Sequence, residues 1–375
     1  MNEERKYGLD LLKIMAIIFI IINHICQTAY ENPLMLPEMY GSLFHKEYVN
    51  NDIYYLIMCL IRNFGAIGNN LFFMCSAWFL CDKKTTNYKK VITIIIDTWC
   101  ISVLFLLFHM CFIGKLPILV VIKNIFPITF QNNWYVTFYV MFSVIYPLLN
   151  IIIRNISRNC HFIICLVGII IYFGVDFLIG SYFYNSILID YIILYFIVSY
   201  IKKYMMSFAN NILYNKLMII IGLIGTLGIM ILTYLVGNKI SIFGNYILHW
   251  CKINNPFVVI LCIGLLNVFK DINLKSKIIL DISSLSLFIY LIHENYLFRN
   301  YSRVKMMVSL LLKYGYNNVL LIIFAFSIFI LVTSIIISFI YKKTIHILAE
   351  KISGFLVKKF KIGIETKSKI RGKGV

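Results

Sequence analysis

Histidine, arginine, lysine, aspartate and serine recur at helical spacing inside apolar stretches of this sequence. Such groups are costly in an apolar setting and default to functional roles. Near the start, Asp10, Lys13 and His24 fall on one stripe. From Lys13 to His24 is about three helical turns, an offset of about 20° and a rise of about 16 Å. Asp10 and Lys13 form an i,i+3 pair below the imidazole. A second stripe holds Arg62, Asn69, Phe73 and Ser76, spaced 7, 4 and 3. A third holds Ser286, Tyr290 and His293, spaced 4 and 3, with Glu294 next. Trp134-Tyr135 opens another apolar run, and Tyr146-Pro147 lies near its end. An imidazole is a general base near neutral pH. Ser76, Asn69 or Tyr290 could donate to a developing oxyanion, and Lys13 and Arg62 could hold an anion.

Each residue also has a structural role open to it. A lone histidine can hydrogen-bond two helices together. Trp134-Tyr135 fits an interfacial aromatic belt. Arg62 can snorkel, and Ser76 can bond back to its own helix. Convergence favours chemistry, because three separate stripes each carry His or Arg.

The elements that must position these groups follow from composition. Of 375 residues, 61% are hydrophobic and 14% charged. Soluble domains sit near ~45–50% and ~25%, and a chain of this size cannot hide the excess from water. A soluble enzyme, a disordered chain and a disulfide-stapled secreted domain are excluded. Apolar runs near 20 residues recur, each able to cross ~30 Å of hydrocarbon as a helix, and they lack the alternation of barrel strands. The expected fold is all-α, a polytopic bundle of ten spans at about 11–29, 63–81, 91–113, 134–153, 161–180, 186–201, 217–236, 256–269, 278–297 and 318–341. Ile53–Leu60 is expected to be a separate interfacial or re-entrant helix. The acidic Glu3, Glu4 and Asp10 argue against a cleaved leader.

The net charge of +19 reflects topology, with no nucleic-acid partner expected. One set of connections holds Arg5, Lys6, Lys83, Lys84, Lys89, Lys90, Arg154, Arg158, Lys202, Lys203, Lys216, Lys270, Lys275, Lys277 and the basic tail. The other holds Lys46, Lys115, Lys123, Lys239, Lys252, Arg299, Arg303, Lys305 and Lys313. The first side is cytoplasmic, with both termini inside. In the tail, 342–375, Ile345, Leu348, Ile352, Phe355 and Leu356 follow helical spacing. An amphipathic helix on the anionic inner leaflet and a plain topology anchor are both open for it. The cysteines show no CxxC pair and read as small hydrophobes, so neither a metal site nor a disulfide framework is expected.

Tyr7-Gly-Leu-Asp10-Leu-Leu-Lys13, running to His24, resembles the first span of the integral membrane acyltransferase-3 family. Arg62-Asn-Phe-Gly with Leu71-Phe-Phe-Met-Cys-Ser76-Ala77 is similar to its second signature. Asn133-Trp134-Tyr135 with Tyr146-Pro147, and Ser286 to Tyr290-Leu-Ile-His293, resemble two later elements. Lys13 stands where the family has Arg, keeping charge but losing the planar fork, and Ala77 stands where it has Gly. The resemblance covers 1–341 as a membrane acyltransferase-like domain of the single-domain type. It implies transfer of an acyl group, commonly acetyl, from cytosolic acyl-CoA to a hydroxyl of a cell-envelope polysaccharide or lipid-linked glycan in a bacterial plasma membrane. On that reading His24, His293, Tyr290 and Ser76 carry the chemistry. Asp10, Lys13, Arg62, Trp134 and Tyr135 hold the donor, with no permanent cofactor and no metal. Two roles stay open for His24, base or transient acyl carrier. A non-enzymatic flippase or synthase subunit is the other class, disfavoured by the lack of internal repeats.

Overall fold

The computed structural model describes residues 7–30, 52–179, 187–237, 247–273 and 276–371. Arg5, Lys6, Lys46, Lys239 and Lys275 lie outside them. The described residues are mostly helical, with short turns and loops between the elements: α1 (Gly8–Tyr30), α2 (Asp52–Leu80), α3 (Tyr88–Phe112), α4 (Ile118–Ile125), α5 (Trp134–Asn155), α6 (Arg158–Gly168), α7 (Ile187–Tyr204), α8 (Ile212–Gly237), α9 (Pro256–Phe269), α10 (Lys277–His293), α11 (Arg303–Tyr314), α12 (Val319–Lys343) and α13 (Ile345–Arg371). Several starts carry side-chain caps. Asn87, Ser157, Asn255 and Ser276 each accept a backbone N–H of the first turn.

Among the described residues the expected spans fall on helices, with two differences: 161–180 continues from α6 through a π-helical stretch, Ile169–Asp176, and 278–297 breaks after His293. Eight helices among the described residues are long and apolar enough to cross a bilayer, and α10 with its continuation α11 makes a bent ninth. Helix α7 carries Asp190, Lys202 and Lys203, yet Tyr191 to Ile201 are nearly all buried in the bundle. The expectation for Ile53–Leu60 also fails. Ile53–Leu60 is the first two turns of α2, not a separate element. Its Met58 and Cys59 are buried against the bundle, so packing carries the helix through the polar positions around Arg62.

The basic connections gather at one end. Gly8 bonds Ile272 at 3.1 Å, and Lys270 reaches Asn210. Lys202 pairs with Asp82, and Arg154 donates to Lys83 O. Tyr146 donates to Thr85 O, while Asn150 bonds Leu80 O and Lys83 O. The Tyr146-Pro147 element thus anchors the turn between α2 and α3. Helices α8 and α12 line the periphery, with Ile224, Leu232, Leu321 and Phe324 directed outward toward lipid.

The core joins α2, α5 and α7 through the rings of Phe73, Phe138, Phe142 and Tyr191. Helix α1 lies tightly on α2 because small residues let the backbones approach. A Cβ on Gly68 would stand 2.7 Å from Ala16 O and 2.8 Å from the Ile20 side chain. Gly68→Val should therefore part the two helices and destabilise the protein by about 1–3 kcal/mol. Thermal unfolding in detergent reads this, and an unchanged midpoint would contradict the close packing.

Candidate active site

A cavity of about 560 Å³ opens at the basic end. Its walls include Asp10 and Lys13 of α1, Ser76 of α2, Lys89, Lys90 and Asp97 of α3, Tyr135 of α5, Ser283 and Ser286 of α10, and Lys342. Asp10 accepts from Ser283 at 2.8 Å. Lys13 lies over Phe79, 5.5 Å from the ring centre. Two of the acids are held by neighbours, Asp10 by Ser283 and Asp97 by Tyr341. The lysines keep the mouth favourable to anions.

From the cavity a line of hydroxyls leads inward. Ser286, Tyr135 and Tyr290 are buried, and their oxygens have no hydrogen-bond partner among the described residues. The Tyr135 and Tyr290 rings are 5.7 Å apart, and Tyr290 meets His293 edge-on at 5.8 Å. Ser286 to His293 is two turns of α10, roughly 10 Å of rise. Buried hydroxyls without partners are uncommon and call for an explanation.

At the inner end α1 and α10 bring two imidazoles together. His24 Nδ1 lies 3.1 Å from His293 Nε2 and 3.1 Å from Glu294 Oε1. His293 Nδ1 lies 2.7 Å from Ile289 O. A carbonyl only accepts, so His293 Nδ1 carries a proton and donates. In the neutral ring its Nε2 is then an acceptor. His24 Nδ1–H donates to that nitrogen and to Glu294, which leaves His24 Nε2 with a free lone pair. The network thus assigns His24 the tautomer that a base or nucleophile needs.

Helix α10 stops here, and Glu294 follows its last turn. Asn295 caps a new turn by accepting from Leu297 N at 3.0 Å. The chain then runs on into α11 with a bend of 61°. Arg303, 2% exposed, donates to Glu294 Oε1 at 2.6 Å and to His293 O at 3.0 Å. Arg299 reaches Glu294 Oε2 at 3.2 Å, and Asn133 donates to Glu294 O at 3.2 Å. His24, His293 and Glu294 offer ligand atoms within 4.8 Å of one another. Two guanidiniums already sit on that carboxylate, so a further cation would meet like charge.

Not every expected residue joins the site. Asp10, Lys13, Ser76 and Tyr135 line the cavity. Tyr290, His293 and His24 lie beyond it. Ser76 Oγ turns back to Phe72 O at 3.3 Å, the self-bonding role, while facing the cavity. Trp134 stacks edge-on against Tyr135 at 5.6 Å and is not a wall. Arg62 is not a wall either. It lies fourteen residues before Ser76 on α2, roughly 21 Å along the axis, within electrostatic reach of Cys251. Arg303 corrects the sequence reading most. It was expected in an outer connection, yet it is among the largest fully buried side chains of the described residues. The signal for it was Glu294, a carboxylate deep in an apolar run with no cation at i±3 or i±4.

Fold and site define a class: an integral membrane protein with titratable groups assembled inside its bundle, below a cationic cavity. The family follows from comparison with known proteins. The chain belongs to the acyltransferase-3 family, whose model, an acyltransferase domain, matches residues 6–341. It is a multi-pass membrane enzyme that transfers acyl groups other than amino-acyl groups. No curated protein and no solved structure matches the chain.

The Glu294–Arg303 pair yields a test. Breaking a buried pair leaves an uncompensated charge and costs about 3–5 kcal/mol, while removing both partners costs less. Arg303→Met should be strongly destabilised, and adding Glu294→Gln should restore part of the loss. Unfolding midpoints measure this. A double variant less stable than Arg303→Met would contradict the pairing.

Proposed function

We propose that this enzyme moves an acyl group, commonly acetyl, from cytosolic acyl-CoA to a hydroxyl of a cell-envelope glycan or lipid-linked sugar in a bacterial plasma membrane. The observation that carries the reading is the arrangement of the site. A lysine-lined cavity leads by unpaired hydroxyls to a histidine with its Nε2 lone pair free. CoA carries several phosphates on a long pantetheine arm. Lysines at the mouth suit the phosphates, and the line from Ser286 to His293 suits an extended arm.

In this scheme His24 Nε2 takes the proton of the acceptor hydroxyl as that oxygen attacks the thioester carbonyl. The new C–O bond forms, the C–S bond breaks, and the proton passes to the departing CoA thiolate. Glu294 stabilises the transient imidazolium through Nδ1, while His293 and Arg303 hold the orientation. Tyr290 or Ser286 donates to the oxyanion. Lys13 and Asp10 belong to the donor end. Arg62 and Trp134 act through the fold in this scheme, away from the donor.

His24→Ala should insert and melt within a few degrees of the unaltered protein. Acyl transfer from acyl-CoA should fall by about 10²–10⁴-fold, the usual loss on removing a general base. Purified protein and mass spectrometry of glycan O-acyl content read both the rate and the acceptor. Transfer retained within a few-fold would overturn the assignment and shift it to His293 with Tyr290.

A further inference from the structure

Helix α13 begins beyond the residues that match the family, yet it supplies part of the cavity wall. His346 and Glu350 line it, together with Lys342 from the end of α12. The inward face of α13 is His346, Ala349, Glu350 and Ser353, at spacings of 3, 1 and 3. Ala349 and Ser353 are fully buried, and these small residues let α13 settle closely on α3.

Two polar pins hold it there. His346 Nδ1 donates to Asp97 Oδ2 at 2.9 Å, and Asp97 Oδ1 accepts from Tyr341 at 2.9 Å. One turn earlier on α3, Thr93 Oγ1 meets Ser353 Oγ at 2.7 Å. The His346 ring also rests edge-on against Phe288 of α10, with centroids 5.0 Å apart. Thus α13 is clamped to two of the helices that bound the cavity, α3 and α10. Its other face, with Leu348, Ile352 and Phe355 exposed, points away, as an inner-leaflet helix requires.

The geometry points to α13 as a strap of the donor site, with His346 and Lys342 positioning the phosphates of the acyl-CoA. This rests on the donor reading above. Asp97 accepts from Nδ1–H, so the Nε2 edge is the part left for a ligand, and it donates to a phosphate when the ring carries both protons. That edge lies 3.7 Å from Glu350 Oε1, a carboxylate that is half exposed and competes with an incoming phosphate. Lys89 and Lys90 of α3 face the same space. The strap therefore has a contact that favours the donor and one that opposes it, on adjacent turns of a single helix.

Opposite signs give the test. CoA itself is the probe, titrated calorimetrically into the full-length protein in detergent, with acyl-transfer kinetics alongside. Loss of a hydrogen bond to a charged group corresponds to about tenfold in affinity. His346→Ala should weaken CoA binding by about that factor and raise KM for acyl-CoA while kcat at saturating donor holds. Glu350→Gln should tighten CoA binding a few-fold. A purely structural helix would give weaker binding in both variants, or no change in either, and each result overturns the strap. Unaltered CoA affinity in Glu350→Gln overturns it even if His346→Ala fails to fold. Binding of no CoA by the unaltered protein would remove the donor reading, and the strap with it.

Discussion

The carboxylate of Glu294 is the constraint on which the site depends. A buried charge in a bundle of this kind is tolerable only if cations and hydrogen bonds surround it. Arg303 and Arg299 supply the cations, and His24 Nδ1–H supplies a third contact. To bring Arg303 to Glu294 the chain must leave α10, turn through Asn295 and re-enter the bundle as α11. The break in the helix and the ion pair are one feature. Because Arg303 also bonds His293 O, the pair fixes the last turn of α10 and the imidazole on it.

That fixed imidazole orders the rest. His293 presents an acceptor nitrogen to His24, which orients the His24 ring and leaves its far nitrogen free. Close packing of α1 on α2 at Gly68 sets the depth of His24. The same helix α1 places Lys13 three turns away in the cavity. Basic residues that set topology thereby also form the anion-friendly mouth. One charge asymmetry bears both on insertion and on the potential at the cavity mouth.

Much of this was legible in the sequence where one helix carries the whole relation. The i,i+4,i+7 spacing of Ser286, Tyr290 and His293 became a line from the cavity to the imidazole pair. Lys13 and His24 lie on one stripe, as eleven residues of helix require. What was not legible depends on tertiary contact. Arg303 read as one more cation of an outer connection, since nothing local shows that α11 turns back inward. Arg62 shares a helical face with Ser76 but sits far along the axis from the cavity, and face alone does not give depth. The spacing of the tail's apolar positions did point to a helix, and α13 carries them. It did not reveal that the polar face meets α3 instead of water, because Asp97 and Thr93 lie some 250 residues earlier.

The account holds that the donor enters from the lysine-lined end and is consumed at the buried His24. Sealed membrane vesicles of the two orientations, each given labelled acyl-CoA only on the outside, test this most directly. Inverted vesicles, which present Lys90 and α13 to the medium, should incorporate label into the acceptor, and right-side-out vesicles should not. Equal labelling from both faces, or labelling only in right-side-out vesicles, would contradict the account.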